Sequence, residues 1–221
     1  MKMKNIINSI LIACLFLFVS CDTEQDVIET GVCNPIFDGN ILEYLESDDF
    51  NWNLTVQMIK KAGMEDIFTG KHPDYKEITF FGLHNYSIIR HVWDKQSEAE
   101  EDLVDEDKVV EKLSADECKG IILQYIVKGK YLKEDLKYRD CDYFIYESEQ
   151  TGFTEMKTEA GSTLRAYLER GEYANIPESG AIMMYLYSET TKQFVTLATP
   201  NIQPTNGVVH ALSGSHILGK I

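Results

Sequence analysis

The stretch Pro204-Thr205-Asn206-Gly207-Val208-Val209-His210-Ala211-Leu212 decides how the last part of the chain folds. Asn-Gly is a strong turn signal, because both residues tolerate a positive φ at little cost. The run Phe194–Ala198 before it and the run Val208–Leu212 after it are typical of strands. The stretch therefore predicts a tight turn at Asn206-Gly207 between two neighbouring strands that close a sheet.

Composition limits what this chain of 221 residues can be. Such a length is compatible with one or two domains and allows a sizeable buried core. The hydrophobic content of 44% fits a globular protein, and the formal net charge of -15 argues against nucleic acid as a partner. The reason is that binding DNA or RNA needs Lys and Arg to replace phosphate counterions. The acidity is typical of a soluble, self-repelling surface, and the alternative is a surface for a cation or a basic partner.

The N-terminus has the pattern of a signal peptide, which we assign to residues 1–20. Lys2 and Lys4 form a positively charged start, and a mostly apolar run follows over Ile6–Val19. That run is too short for a membrane span, which needs about 20 residues, and it fits the hydrophobic region of a signal peptide.

The apolar run ends in Phe18-Val19-Ser20-Cys21, where a small residue directly precedes a cysteine. This pattern resembles the lipobox of bacterial lipoproteins, although Phe18 stands where that box usually has Leu. The resemblance implies that Cys21 becomes the mature N-terminus and is modified with palmitate-like acyl chains, several of which anchor a protein firmly to a membrane. The alternative is an ordinary signal peptide followed by an incidental cysteine.

Residues 21–35 are predicted to be a lipid-anchored tether. Its acidic start, Asp22-Thr23-Glu24-Gln25-Asp26, resembles the export signals of lipoproteins on the outside of the outer membrane in Bacteroidetes-like bacteria. The resemblance implies a cell-surface location. The alternative is a plain solvated tether, because short charged segments are commonly disordered.

Three cysteines remain after the predicted cleavage and lipidation, namely Cys33, Cys118 and Cys141. An odd number leaves at least one thiol unpaired in an exported protein. No two of them have CxxC spacing, so neither a redox motif nor a zinc ribbon is indicated. We expect small buried cysteines, and the sequence leaves their pairing open.

The first half of the remaining chain is mainly helical in its spacing. Apolar residues recur at helical intervals over 36–59 and predict two helices, the second ending near Gly63. Lys76–Phe81 predicts a strand. Ser114-Ala115-Asp116-Glu117 is a capping box that predicts the start of a further helix, whose end we place at 127–130.

The second half changes to the period of strands. Gly and Asn-Gly signals separate short β-rich runs at Tyr143–Tyr146, Thr163–Leu168, Ala181–Tyr187, Gln193–Ala198 and Val208–Leu212. A helical half followed by a strand-rich half predicts an α+β fold.

Three segments resemble, in order, the three sequence signatures of fasciclin-like domains. In the first, Thr79, Phe81 and Asn85 match, while Leu83 and His84 replace the family's Pro and Thr. In the second, the matches are Leu123, Val127 and Gly129, with Gln124 at the family's Tyr and Tyr125 at its His, or Tyr125 at its Tyr if one residue is deleted. The last signature matches best, through Thr205, Asn206, Gly207, Val208, Val209 and His210.

The resemblance implies one fasciclin-like domain over residues 36–221, with a β-sandwich or wedge wrapped on one side by helices. Packing or turn chemistry also explains each signature by itself. Thr79 and Phe81 fit the inside of a strand, Asn206-Gly207 fits a turn, and Tyr125 fits a core tyrosine with a bonded hydroxyl. We therefore interpret the motif residues mainly as determinants of the fold.

The patterns of known active sites are missing from the sequence. There is no G-x-S-x-G elbow, no H-E-x-x-H zinc motif and no Gly-rich phosphate loop. The acidic segment 94–117 lacks the D-x-D-x-D-G pattern of a calcium loop and is interpreted as a solvated loop and helix face. The sequence thus predicts no catalytic, cofactor-binding or metal-binding residue.

Two classes of function remain. The resemblance implies a cell-surface binding or adhesion module, which reaches the membrane through its N-terminal lipid and binds a protein or glycan. The alternatives are an accessory subunit of an outer-membrane glycan-uptake or envelope complex, and a small-ligand-binding or enzymatic domain whose pocket the sequence does not advertise. Binding through a scaffolded surface needs no motif, which favours the first class.

Overall fold

The computed structural model describes residues 34–221. The predicted signal peptide 1–20, the lipid attachment residue Cys21, Cys33 and all but the end of the tether lie outside the described residues. Residues Pro35–Ile221 form one compact unit.

Helices come first and strands dominate later, which confirms the predicted α+β class. The helices are α1 (Ile41–Glu46), α2 (Asp49–Lys61), α3 (Glu65–Phe68), α4 (Asn85–Glu98) and α5 (Ala115–Leu123), with 3-10 helices at Glu106–Lys112 and Lys133–Asp135. The strands are β1 (Ile78–Gly82), β2 (Ile126–Lys128), β3 (Thr154–Lys157), β4 (Thr163–Arg170), β5 (Ile182–Ser188), β6 (Gln193–Val195), β7 (Leu197–Ile202) and β8 (Gly207–Leu212).

The first sheet has the strand order β2-β1-β8-β7. β1 and β8 are parallel, with Ile78 opposite Gly207 and Gly82 opposite Ala211, and both strands are buried at every position. Strands that are covered on both faces read as continuous apolar runs, which is the pattern of these two. The last strand of the chain therefore lies inside this sheet rather than at its edge.

The second sheet is antiparallel, in the order β3-β4-β5-β6. Alternate residues of β4 divide between its faces: Leu164, Ala166 and Leu168 enter the main core, whereas Tyr167 belongs to a small separate cluster on the other face. The helices and the inner faces of both sheets share the main core. The face of the second sheet that carries Tyr167 is therefore not covered by the main core.

Two predicted helix boundaries change in the structure. α1 begins at Ile41 and not at the apolar residues before it, because Asn40 forms a capping box with Glu43. The capping box of Ser114 and Glu117 is confirmed as the start of α5. The predicted end of that helix at 127–130 is wrong, since Ile126–Lys128 pairs with β1 as strand β2. Ile126 and Val127 are β-branched, which suits a strand.

The predicted strand Phe194–Ala198 is split between the two sheets. Val195 pairs with Leu186 in the second sheet, and Leu197 pairs with Leu212 in the first. An alternating pattern marks a strand but not the sheet to which it belongs, so the change of sheet was not predictable. The neighbouring strands predicted on the two sides of the Asn-Gly stretch are confirmed as β7 and β8, which are antiparallel.

The predicted β-rich run Tyr143–Tyr146 is wrong, because it forms turns and lies in no strand. Its carbonyl groups are bonded by side chains rather than by a neighbouring strand, as Arg165 and Gln150 donate to them. The prediction of buried cysteines holds for Cys118 but not for Cys141, which is exposed, and neither forms a disulfide.

Candidate functional site

The turn lies one residue earlier than predicted, because its two central residues are Thr205 and Asn206, whereas Gly207 already begins β8. The N–H of Gly207 donates to the carbonyl of Pro204 at 3.3 Å. Gly207 has a φ of +156°, whereas Asn206 is not among the described residues with positive φ. Asn206 is needed instead for its buried amide. Its Oδ1 accepts from the N–H of Ile41 at 2.8 Å, and its Nδ2 donates to the carbonyl of Phe68 at 2.9 Å. The residue thus joins the turn to α1 and α3.

Thr205 and Thr79 also bond to backbone groups of other elements. Thr205 donates from its N–H and its hydroxyl to the carbonyl of Gly39, at 2.8 and 3.1 Å. The Thr79 hydroxyl donates to the carbonyl of Gly129 at 2.8 Å and accepts from the N–H of Tyr131 at 3.0 Å. Gly129 has a φ of +91°, which favours glycine. Thr79 therefore joins β1 to the segment after β2, and Thr205 joins the turn to the segment before α1.

Phe81 and His210 are opposite each other on β1 and β8, and their rings are stacked at 5.8 Å. The Nδ1 of His210 accepts from the N–H of Asn201 at 3.0 Å, so the proton is on Nε2, which donates to the carbonyl of Tyr131 at 2.9 Å. Burial lowers the pKa of His210 to about 4. The imidazole is therefore neutral at pH 7 and part of the core.

Asn85 joins two helices at the start of α4. Its Oδ1 accepts from the N–H of Leu54 at 2.9 Å, and its Nδ2 donates to the carbonyls of Asp49 and Phe50 at 3.0 and 2.8 Å. The preceding residue His84 caps α4, because its Nδ1 accepts from the N–H of Tyr86. Asn85 thus joins α4 to α2, and His84 fixes the start of α4.

Tyr125 is fully buried and its hydroxyl is bonded, as predicted. The hydroxyl accepts from the N–H of Gly219 at 3.2 Å and is 2.9 Å from the Nε2 of His216. Burial, together with the charge of Arg90, lowers the pKa of His216 to about 4. The imidazole is therefore neutral at pH 7, and the hydroxyl of Tyr125 donates to it.

We expect Tyr125→Phe to lower the free energy of unfolding by about 1 to 3 kcal/mol, because it leaves the buried Nε2 of His216 without its hydrogen-bond partner. Urea denaturation at pH 7 measures the loss. Tyr173→Phe is the matched control, since Tyr173 is 71% exposed and the same change should leave stability unaltered. Equal stability of the two variants would contradict the assigned role of the hydroxyl.

All nine motif residues are therefore used inside the fold: Thr79, Phe81, Asn85, Tyr125, Gly129, Thr205, Asn206, Gly207 and His210. They bond or pack against β1, β8 and the helices beside them. These contacts support their interpretation as determinants of the fold. A site for a partner has to be sought on the surface.

Within residues 34–221, no group of three or more His, Cys, Asp or Glu side chains is placed to hold a metal ion. Every helix in this range is too short or too polar to cross a bilayer. His84 and His91, which are seven residues apart, have separate surroundings, and burial lowers the pKa of both.

A row of aromatic rings lies on the outer face of the second sheet. It runs from Phe144 through Tyr146 and Tyr187 to Phe194, with neighbouring ring centroids 5.4 to 6.4 Å apart. Phe144, Tyr146 and Phe194 are 62%, 54% and 60% exposed. Tyr187, in the middle of the row, is buried and supports the exposed rings from below. We call these four residues the aromatic surface. Soluble proteins seldom leave adjacent large apolar side chains in water unless a partner covers them.

The aromatic surface is held in place by Arg165 on β4. Its Nη1 donates to the carbonyls of Ile145 and Glu147 at 2.6 and 2.9 Å, and its guanidinium pairs with Glu189. Ile145 between the two exposed rings is buried, which fixes the segment from below. Phe144 and Tyr146 are parallel to within 4°. Their geometry is therefore set before any partner arrives, and this lowers the entropy lost on binding.

The sequence does not reveal this surface, because its residues come from three segments that meet only in the folded sheet. The cross-strand pair Tyr187 and Phe194 depends on the register of β5 and β6. One signal was available, namely the alternating tyrosines at Tyr185 and Tyr187, which mark a face of β5 that is aromatic rather than polar.

No family model matches the sequence, and no curated protein matches it. Among solved structures, the chain is similar to one described as "Novel Fold Revealed by the Structure of a FAS1 Domain Pair from the Insect Cell Adhesion Molecule Fasciclin I". The sequences are 13% identical and the TM-score is 0.38. The match covers 81% of this chain and 45% of that one, so the chain spans less than half of the insect domain pair.

Proposed function

We propose that the chain is a lipid-anchored cell-surface protein whose fasciclin-like domain is a non-catalytic binding or adhesion module. The three signatures in family order and the α+β fold support the fasciclin-like assignment. The aromatic surface is the single observation that carries the binding function. It offers rigid, exposed rings, whereas the motif residues are all used within the fold.

A glycan is the ligand that this surface favours. Phe144 and Tyr146 are exposed, parallel rings held on a fixed segment. The face of an aromatic ring is negative and attracts C–H groups, and sugar rings present such groups on their apolar faces. A protein ligand would meet the same surface and is the other outcome of the test.

The test uses the chain from Asp22 onward on glycan arrays, with arrays of envelope proteins in parallel. We expect glycan binding, and Phe144→Ala/Tyr146→Ala should weaken it by about tenfold or more, because central aromatic residues dominate binding energies. Tyr173→Ala is the matched control, since it removes a ring that is 71% exposed and lies outside the aromatic surface. Unchanged binding by the double variant would refute the site, and binding to proteins alone would refute the ligand class.

Membrane attachment rests on Cys21, because acyl chains supply the affinity of a lipoprotein for the bilayer. We expect Cys21→Ser to release the protein from membranes washed with high salt, as measured by sedimentation and immunoblotting. In the parent strain, protease added to intact cells should digest the domain if the acidic segment after Cys21 directs it outward. A Ser variant that still sediments would contradict the lipobox, and digestion only after lysis would place the domain in the periplasm.

A further inference from the structure

A groove runs along α4 on the helical side of the domain, remote in sequence from the aromatic surface. Its floor is a stripe on one face of the helix, formed by Tyr86, Ile89, Arg90 and Trp93 at positions i, i+3, i+4 and i+7. Tyr86 is exposed, Ile89 is buried, and Trp93 is fixed by a 2.9 Å hydrogen bond from its indole N–H to the carbonyl of Val104. The stripe is about 10 Å long, or two turns of helix.

The walls of the groove come from three other parts of the chain. One cavity of about 560 Å³ lies between α4, Glu106 and the segment Gly214-Ser215. A second cavity of about 250 Å³ continues it past Tyr86 to the start of α2. The two cavities are adjacent, because Tyr86, Ile89 and Glu106 line both of them.

The rim of this groove is acidic. Four carboxylates line it, namely Asp49, Asp94, Glu106 and Asp107. The one cation in the lining is Arg90, which donates to the carbonyls of Gly214 and Ser215. The carboxylates on the rim are exposed and not engaged in the described ion pairs. The floor is therefore apolar except for Arg90, whose guanidinium is turned to the carbonyls of Gly214 and Ser215. Such a floor with an acidic rim complements an apolar ligand that is flanked by positive charge.

We propose that this groove binds a cationic amphipathic helix of a partner protein. A helix laid along a groove inserts apolar residues spaced i, i+3, i+4 and i+7, and the stripe on α4 has the matching length and period. Lys and Arg beside those residues would meet the acidic rim. The site lies apart from the aromatic surface and does not depend on the proposed function.

Charge excludes the other occupants. A second copy of the chain carries the same formal charge of -15 and would be repelled. The chain's own segment 22–33 has four carboxylates and no Lys or Arg. Anionic lipid is disfavoured for the same reason. A basic amphipathic helix complements both parts of the groove, because its Lys and Arg match the acidic rim and its apolar face matches the floor.

The test uses two peptides of about 15 residues, a length at which isolated helices begin to form. Both carry Leu at i, i+3, i+4 and i+7, and the remaining positions are Lys in one peptide and Glu in the other. The chain has two tryptophans, and Trp52 is buried, so Trp93 in the groove is a built-in fluorescent probe for tryptophan-free peptides. We expect the Lys peptide to shift this fluorescence on binding, and the Glu peptide to leave it unchanged.

Matched variants decide whether the groove itself is responsible. Asp94→Asn/Glu106→Gln should weaken binding of the Lys peptide by about fivefold or more in about 0.1 M salt, where exposed charges more than about 10 Å apart are largely screened. Glu155→Gln/Glu172→Gln removes two exposed carboxylates from β3 and from the loop after β4, outside the groove, and should weaken binding by less than about twofold. Tyr86→Ser should weaken binding without lowering the melting temperature, and Phe144→Ala/Tyr146→Ala should have no effect. The proposal is overturned if both carboxylate pairs have equal effects, if the Glu peptide binds as tightly, or if the aromatic-surface variant abolishes binding.

Discussion

Gly207→Val is expected to leave the domain largely unfolded at 37 °C. A side chain at this position would point into the carbonyl of Ile78, its partner on β1, at a separation that no real contact shows. It would also lie 3.1 Å from the Cδ1 of Ile41 in α1. Since β1 and β8 are the two inner strands of their sheet, relieving the clash means opening the centre of the core.

Two effects add up in this variant. The backbone φ of +156° is unfavourable for a β-branched residue and contributes about 1 to 3 kcal/mol. The steric clash separates two fully buried strands. We therefore expect the free energy of unfolding to fall by more than about 4 kcal/mol in total, a loss that single substitutions cause only when they disrupt a core in this way. Thermal unfolding followed by circular dichroism measures it.

Gly161→Val separates strain from collision. Gly161 also has a positive φ, +93°, but a side chain there would meet nothing within 4 Å. We expect this control to lose only the contribution of backbone strain, about 1 to 2 kcal/mol. If the two variants had the same melting temperature, the close approach of Gly207 to β1 would not be the reason for glycine at this position.

A loss of stability in mild acid is the second large effect that we expect. Burial lowers the pKa of His210 and of His216 to about 4, whereas an unfolded histidine titrates near pH 6.5. Between these values the unfolded chain binds protons that the folded chain excludes. The stabilisation is therefore complete above about pH 6.5 and is lost as the pH falls towards 4.

Each of the two histidines contributes up to about 3 kcal/mol to this loss, since one pKa unit corresponds to about 1.4 kcal/mol. Urea denaturation at several pH values from 7 to 4.5 measures the slope. His210→Gln/His216→Gln removes both titrating groups, so its unfolding free energy should depend less on pH than that of the parent. Comparing the two proteins cancels the carboxylates that they share. Parallel pH profiles would show that other groups cause the loss.

Local signals in the sequence predicted local structure well. The Ser114 and Glu117 pair marked the start of a helix, Gly63 marked the end of another, and Tyr125 was predicted to be buried with a bonded hydroxyl. Each of these depends on residues a few positions apart or on the chemistry of one side chain. The α+β class followed because helical spacing dominates the first half of the chain and strand spacing the second.

Features that join distant segments were not predictable. Asn206 was assigned to the turn for its backbone, but its amide bonds Ile41 and Phe68, far away in sequence. The split of Phe194–Ala198 between two sheets depends on partners on both sides. The aromatic surface and the groove along α4 likewise arise only when separate segments meet. No single run of residues carries the pattern of either.

The position of β8 inside the first sheet has a consequence for biosynthesis. β1 leaves the ribosome about 130 residues before its parallel neighbour, and one of its edges stays unpaired until Gly207–Leu212 has been made. Exposed strand edges are sites of misassembly in nascent chains. The domain cannot complete its tertiary structure vectorially, from one terminus to the other. Translation stalled or truncated before residue 207 would yield a chain with an open sheet, a natural substrate for chaperones and proteases.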